Sequence, residues 1–110
     1  MTHSIKTLMT LAKKNPLGFT VFTTDLNFVK KGWVVGLKET QNCFGVEGCK
    51  KAFEIAEQET GCFGGWKNDK LYYFDAVMIV ESESDATKLG VENKQIGIYN
   101  LETNTYKELS

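Results

Sequence analysis

The sequence has few residues of the types on which most catalytic and metal sites depend. Its only histidine is His3, close to the start of the chain, so histidine acid–base catalysis and Ser-His-Asp or Cys-His triads are disfavoured. The cysteines lack the Cys-x-x-Cys spacing, and a structural zinc site usually needs four ligands in close pairs. We therefore expect no enzyme activity, no cofactor and no bound metal. The cysteines are Cys43, Cys49 and Cys62.

Several other features are scarce, and each excludes a class of protein. The net charge of −1 disfavours a general nucleic-acid binder, which would carry a basic excess. A single proline and the lack of low-complexity runs disfavour disorder. No apolar run is long enough to cross a membrane. A secretion signal is not expected, because Lys6 interrupts the start and the apolar stretch 8–12 is short and is followed by two lysines. The odd number of cysteines predicts reduced thiols, and hence a cytoplasmic protein.

The 110 residues, 42% hydrophobic and 25% charged, predict one domain spanning residues 1–110. Its clearest element is the apolar run 71–80, which is rich in aromatic and β-branched residues and predicts a central strand. The turn-forming segment 67–70 joins this run to residues 62–66, so the two predict a hairpin. Alternation places Phe74, Ala76, Met78 and Val80 under the helices, with Tyr73 and Asp75 on the more open face.

The rest of the chain supplies the other elements. Apolar residues at helical spacing predict a helix over 4–14 and another over 46–60, in which Val46, Cys49, Phe53 and Ala56 face inward. Gly61 is placed to cap the second helix, and Ser82 and Ser84 to begin a third. Strands are predicted over 18–23, 32–38, 95–100 and 105–109. After the first helix the order is ββα-ββα-ββ, which predicts an α+β domain with helices mainly on one face of an antiparallel or mixed sheet of three hairpins.

Five segments together resemble small uncharacterised proteins of gut bacteria and of their phages or mobile elements. Related segments look like those appended to large polyvalent mobile-element proteins. The resemblance spans most of the chain and implies an accessory role, but it supplies no activity and no site. The segments are 15–21, 31–35, 39–42, 72–76 and 93–99.

The densest polar cluster is Glu39, Thr40, Gln41 and Asn42, between the second strand and the second helix. Loops at this position often bind ligands, because the free N–H groups of a helix start point outward. We expect these residues, with Trp33 of the preceding strand, to form part of a binding surface that tolerates substitution. The alternative is a solvated connector in which Asn42 caps the helix.

Two further residues carry candidate chemistry. Asp75 interrupts the apolar central strand, where a carboxylate must be paired, exposed or functional. It is a candidate binding residue, with exposure on the open face of the sheet as the alternative. Cys43 lies just before a predicted helix start, where the positive end of the helix would lower a thiol pKa and make it reactive. The alternative reading is that it packs as a small apolar residue.

These patterns predict a small cytoplasmic module, of phage or mobile-element origin, that works by protein contact. The alternative is a small-molecule or nucleotide binder that uses the 39–45 loop. A protein partner is favoured, nucleic acid and membrane are disfavoured, and association with a second copy stays open. A protein-contact module should expose an apolar patch or a strand edge, whereas a ligand binder should have a concave pocket lined by the polar loop.

Overall fold

The computed structural model describes residues 2–110, and within them the chain forms one α+β domain of three α-helices and a six-stranded antiparallel sheet. No helix of this described part is long and apolar enough to cross a membrane. The helices are α1 (Ile5–Lys14), α2 (Gly45–Ile55) and α3 (Glu83–Glu92), and a π-helical turn, Ala56–Thr60, extends α2. The strands are β1 (Phe19–Phe22), β2 (Trp33–Gly36), β3 (Cys62–Asn68), β4 (Leu71–Val80), β5 (Gly97–Asn100) and β6 (Thr105–Glu108).

The strands lie in the order β1-β3-β4-β2-β5-β6, and every neighbouring pair is antiparallel. The predicted hairpins β3–β4 and β5–β6 form, but the expected pairing of β1 with β2 is wrong. The segment after β1 is too long for a tight turn and first folds back on it, since Val29 N–H donates to Thr20 O at 2.9 Å. The chain then reaches β2 on the far side of β4, so the β3–β4 hairpin separates β1 from β2.

The helices pack against one face of the sheet. Phe74 and Ala76 of β4 are fully buried in a cluster with residues of α1 and α2. Met78 and Val80 of the same strand pack against a second cluster, which contains Ala86 of α3. The alternation of β4 therefore places its side chains as predicted, with Tyr73 and Asp75 on the opposite face, called the open face below.

The helices begin and end as the sequence predicted, but one residue of α2 is not buried as expected. The hydroxyl oxygens of Ser4 and Ser82 accept from the N–H groups three residues later, and Gly61 ends the π-turn in the left-handed conformation at φ 75°. Val46 was expected on the buried face of α2, yet its side chain is 53% exposed. It lies in the first turn of the helix, before the part of α2 that packs on the sheet.

Candidate functional site

The open face of the sheet is concave and forms a cleft of about 1010 Å³. The strand register brings four residues from four strands together on its floor. The connection between β1 and β2 crosses the same face, where Val29 packs with Cys62 and Val77 and covers one end of it. The cleft is the part of this face that the crossing segment leaves open. The floor residues are Gly36, Gly64, Asp75 and Gly97.

Glycines in the floor let neighbouring groups lie close to the sheet. A Cβ on Gly36 would lie 2.7 Å from Gln95 Oε1, and a Cβ on Gly97 would collide with the ring of Tyr106. The absence of side chains at these two positions therefore makes room for Gln95 and Tyr106. A Cβ on Gly64 would lie 3.1 Å from Phe19 O and 3.6 Å from Val77 Cγ1, so the gap at Gly64 is small and bounded by these atoms. Neither Gln95 nor Tyr106 fills the gap at Gly64.

Aromatic residues form both ends of the cleft. Trp66 and Tyr73 are cross-strand neighbours on β3 and β4, and their rings stack with centroids 5.4 Å apart at 22°. Tyr99 and Tyr106 are neighbours on β5 and β6, and the Tyr99 hydroxyl donates to Asn104 Oδ1 at 2.9 Å. Flat or cationic groups bind well to such exposed aromatic faces.

Asp75 is the acidic residue of the cleft, and it lies directly opposite Gly64 on the neighbouring strand. Within residues 2–110 its carboxylate accepts no hydrogen bond and forms no ion pair. The side chain retains partial exposure, but surrounding atoms exclude much of its water, and this desolvation raises the pKa of Asp75 to about 6. The nearby cation Lys94 lies in the lining of the cleft without pairing with it. Asp75 is therefore a polar group without a protein partner, in a cleft large enough for a ligand.

The 39–45 loop contributes to the site differently from the expectation, because Thr40 is completely buried. Its hydroxyl donates to Leu37 O at 3.1 Å and accepts from Ala76 N–H at 3.2 Å. β2 ends opposite the middle of β4, and the loop continues along the exposed edge of β4, where Cys43 O accepts from Phe74 N–H at 2.8 Å. Thr40 therefore completes the hydrogen bonding of β4 and cannot form part of a binding surface.

The neighbours of Thr40 do lie at the surface. Gln41 and Asn42 line the cleft, and Gln41 Nε2 donates to Lys94 O at 2.8 Å, which ties the loop to the segment before β5. Asn42 takes a left-handed conformation at φ 62°, and Phe44 rather than Asn42 precedes α2 as its N-cap. Asn42 is thus not the helix cap that the alternative reading required. Glu39 is exposed but lies outside the residues that line the cleft.

Two other candidates lie elsewhere. Trp33 is buried on the helix-covered face with Ala86 and Ile98, so it is not part of the cleft. Cys43 is buried too, and desolvation raises the pKa of its thiol, which is the opposite of the shift expected at a helix start. The helix dipole does not activate this thiol, because burial has the larger effect. Across residues 2–110 no three metal-ligating side chains form a cluster.

Sequence reasoning placed Asp75, Gln41 and Asn42 among the candidates, and the structure brings all three to the cleft. It missed the glycine floor and the tyrosines of β5 and β6. One signal was present, because Gly64 and Gly65 interrupt a strand, and glycine inside a strand marks a bulge or a close approach. The missed lining residues are Gly36, Gly64, Gln95, Gly97, Tyr99 and Tyr106.

Comparison of the chain with protein-family models, with curated proteins and with solved structures gave no match in any of the three cases.

Proposed function

We propose that this protein is a ligand-binding domain and that a small organic molecule binds in the cleft on the open face of the sheet. The observation that carries the proposal is the unpartnered carboxylate of Asp75 on the cleft floor. Polar groups that are shielded from water normally have a hydrogen-bond partner. When the fold supplies none, a bound ligand is the expected partner.

The shape and composition of the cleft support the same function. Small-molecule sites are concave, about 300–1,000 Å³ in volume, and mainly apolar with a few placed polar groups. The cleft is of this size, with stacked aromatic rings at one end and the carboxylate of Asp75 on its floor. Gln41 and Asn42 of the 39–45 loop add amide groups along one rim, so the loop takes part in binding through these two residues.

The cysteines support a reducing compartment, the cytoplasm, as the site of action. Cys43, Cys49 and Cys62 are all buried free thiols. Proteins of oxidising compartments usually pair such residues in disulfides. A small cytoplasmic metabolite is therefore the kind of ligand proposed.

The experiment is a fragment screen followed by backbone amide NMR. Binding should shift the amide resonances of Gly36, Gly64 and Asp75 together, while those of the helices stay in place. Trp66→Ala removes an aromatic wall and should weaken the hits at least tenfold. Val91→Ala truncates an exposed side chain of α3 outside the cleft lining and serves as the matched control. Hits that shift only residues outside the cleft would contradict the proposal.

A second function, contact with a partner protein, is supported by apolar side chains beside the cleft. Leu17 is fully exposed and Ile96 largely so, and both line its rim. An accessory protein of a phage or mobile element would use such a patch to hold its partner. Replacing both residues with serine should abolish recovery of a partner from the native host, and should leave fragment binding in the cleft unchanged. Loss of fragment binding without loss of a partner would assign the rim to the ligand site instead.

A further inference from the structure

We infer that the ligand of the cleft carries a cationic nitrogen group, an ammonium or amidinium, which pairs with Asp75 while its flat part lies over Gly64 against the Trp66–Tyr73 stack. This inference rests on the proposed function and specifies the chemical class of the ligand.

The first step is the charge of the site. The ionised carboxylate of Asp75 has lost much of its water and has gained neither a hydrogen bond nor a cation from residues 2–110. A carboxylate in this condition is stabilised more by a cation than by a neutral group, because a cation supplies both charge and hydrogen-bond donors. An anionic ligand would be repelled by the like charge of Asp75, so we do not expect anions to bind.

The second step is the surroundings of Asp75, in which no cation among residues 2–110 pairs with the carboxylate. Of the elements packed against it, β1 and β2 present no ionisable side chain on the open face. Burial raises the pKa of the Cys43 thiol in the 39–45 loop; Lys51 lowers it, and the charge of Asp75 raises it further. Among residues 2–110 the cation in the lining is Lys94, on an exposed segment at the rim. The other ionisable residues of this face include Cys62, Tyr73, Tyr99, Tyr106 and, opposite Gly97, Glu108.

The third step is the space beside the carboxylate. Gly64 lies opposite Asp75 in a cross-strand pair, and such pairs hold their Cβ positions about 5 Å apart. Since Gly64 has no side chain, a gap lies next to the carboxylate, bounded by the side chains of Val77 and Thr20 and two residues along β3 from Trp66. A planar cation placed there would contact the carboxylate and an aromatic face at once, and aromatic faces attract cations.

Protonation of Asp75 gives the inference a pH signature. The protonated form cannot pair with a cation, so affinity should follow the ionised fraction of the group. With a pKa of about 6 in the free protein, affinity should be roughly tenfold lower at pH 5 than at pH 8 and level off above pH 7.

The test compares benzamidine, a planar cation, with its neutral analogue benzamide and its anionic analogue benzoate. Binding is followed by NMR shifts of the Gly64 and Asp75 amides and by the fluorescence of Trp66, because Trp33 is buried on the other face. Benzamidine should bind at least tenfold tighter than benzamide at pH 8. Its affinity should fall about tenfold at pH 5, and benzoate should not bind.

Two variants isolate the carboxylate. Asp75→Asn keeps the shape and should remove both the preference for benzamidine and the pH dependence, while its unfolding transition shows that it folds. Asp69→Asn changes an exposed acid in the β3–β4 turn and should bind like the wild type. If benzamide binds as tightly as benzamidine, or if Asp75→Asn keeps the preference, the cationic class is wrong and the ligand-binding proposal stands. If no probe and no fragment of the wider screen shifts the cleft, both are wrong.

Discussion

Thr40 offers the sharpest test of how the loop after β2 is built into the fold. Its hydroxyl is the hydrogen-bond acceptor for Ala76 N–H on β4, and the side chain is completely buried. Leu37 O keeps a second donor, Thr40 N–H at 3.1 Å, when the hydroxyl is removed. The loss therefore falls on one buried N–H group, which would be left without a partner.

The magnitudes follow from this geometry. Thr40→Val keeps the shape but leaves Ala76 N–H unsatisfied, which should cost about 1–3 kcal/mol of the free energy of unfolding. Thr40→Ser keeps the hydroxyl and removes one methyl group, which should cost about 0.5–1.5 kcal/mol. Thr40→Ala loses both and should be the least stable. The sequence analysis had expected substitutions in this loop to leave the fold nearly intact, and the buried hydroxyl reverses that expectation.

Urea denaturation would measure these differences, provided that the slope of the free energy of unfolding against urea concentration is the same for all variants. Thr10→Val is the matched control, because Thr10 also donates to a backbone carbonyl, Lys6 O at 2.8 Å, but is exposed on α1. It should change stability by no more than about 0.5 kcal/mol. If Thr40→Val is as stable as the wild type, or more stable than Thr40→Ser, the hydroxyl does not support β4 and the reasoning is refuted.

Three further predictions concern the core, the thiols and the carboxylate. Phe74→Ala should lower the free energy of unfolding by about 3–5 kcal/mol, since the ring is fully buried, and a loss below about 1 kcal/mol in chemical denaturation would contradict its core position. A thiol reagent should label the three cysteines, Cys43, Cys49 and Cys62, slowly in the native protein and completely after unfolding. Burial raises the pKa of all three thiols, that of Cys49 to about 12, and so lowers the fraction present as reactive thiolate. Fast labelling of the native protein would refute this. Asp75→Asn should be more stable than the wild type at pH 7, by at most about 3 kcal/mol, because the folded-state pKa of about 6 exceeds the ordinary value of 3.8. That advantage should shrink as the pH falls through 6, to about 0.5 kcal/mol near pH 4, and vanish below about pH 3, where the carboxyl is protonated in both states. A constant difference measured by thermal unfolding between pH 4 and 7 would contradict the desolvation of Asp75.

The sequence predicted the elements whose signals are local. The alternation of β4 placed Phe74 and Asp75 on the correct faces, and the left-handed Gly61 ended the second helix where the sequence indicated. Each of these depends on neighbours within a few residues, which periodicity and capping rules describe.

Features that depend on distant segments could not be predicted in the same way. The pairing of β1 with β3 joins Phe19 to Gly65, and no local signal distinguishes it from a hairpin with β2. The burial of Thr40 depends on the free edge of β4, which exists only because β2 pairs with the second half of that strand. The cleft itself combines glycines from three strands, so its floor becomes visible only once the strand order is known.

Several features that lower the stability of the fold lie together on the open face of the sheet. Glycine inside a strand costs roughly 0.5–1 kcal/mol relative to alanine, and Gly36, Gly64 and Gly97 lie together on the cleft floor. Asp75 adds the desolvation of a carboxylate, although a neutral side chain would satisfy the same strand position. Domains of this size are stable by only about 5–15 kcal/mol, so the combined cost is a substantial share. Local conflicts with stability tend to concentrate at functional sites, and among residues 2–110 they coincide with the one carboxylate in the lining of the cleft. The position of these costs therefore supports the proposal of a ligand at Asp75.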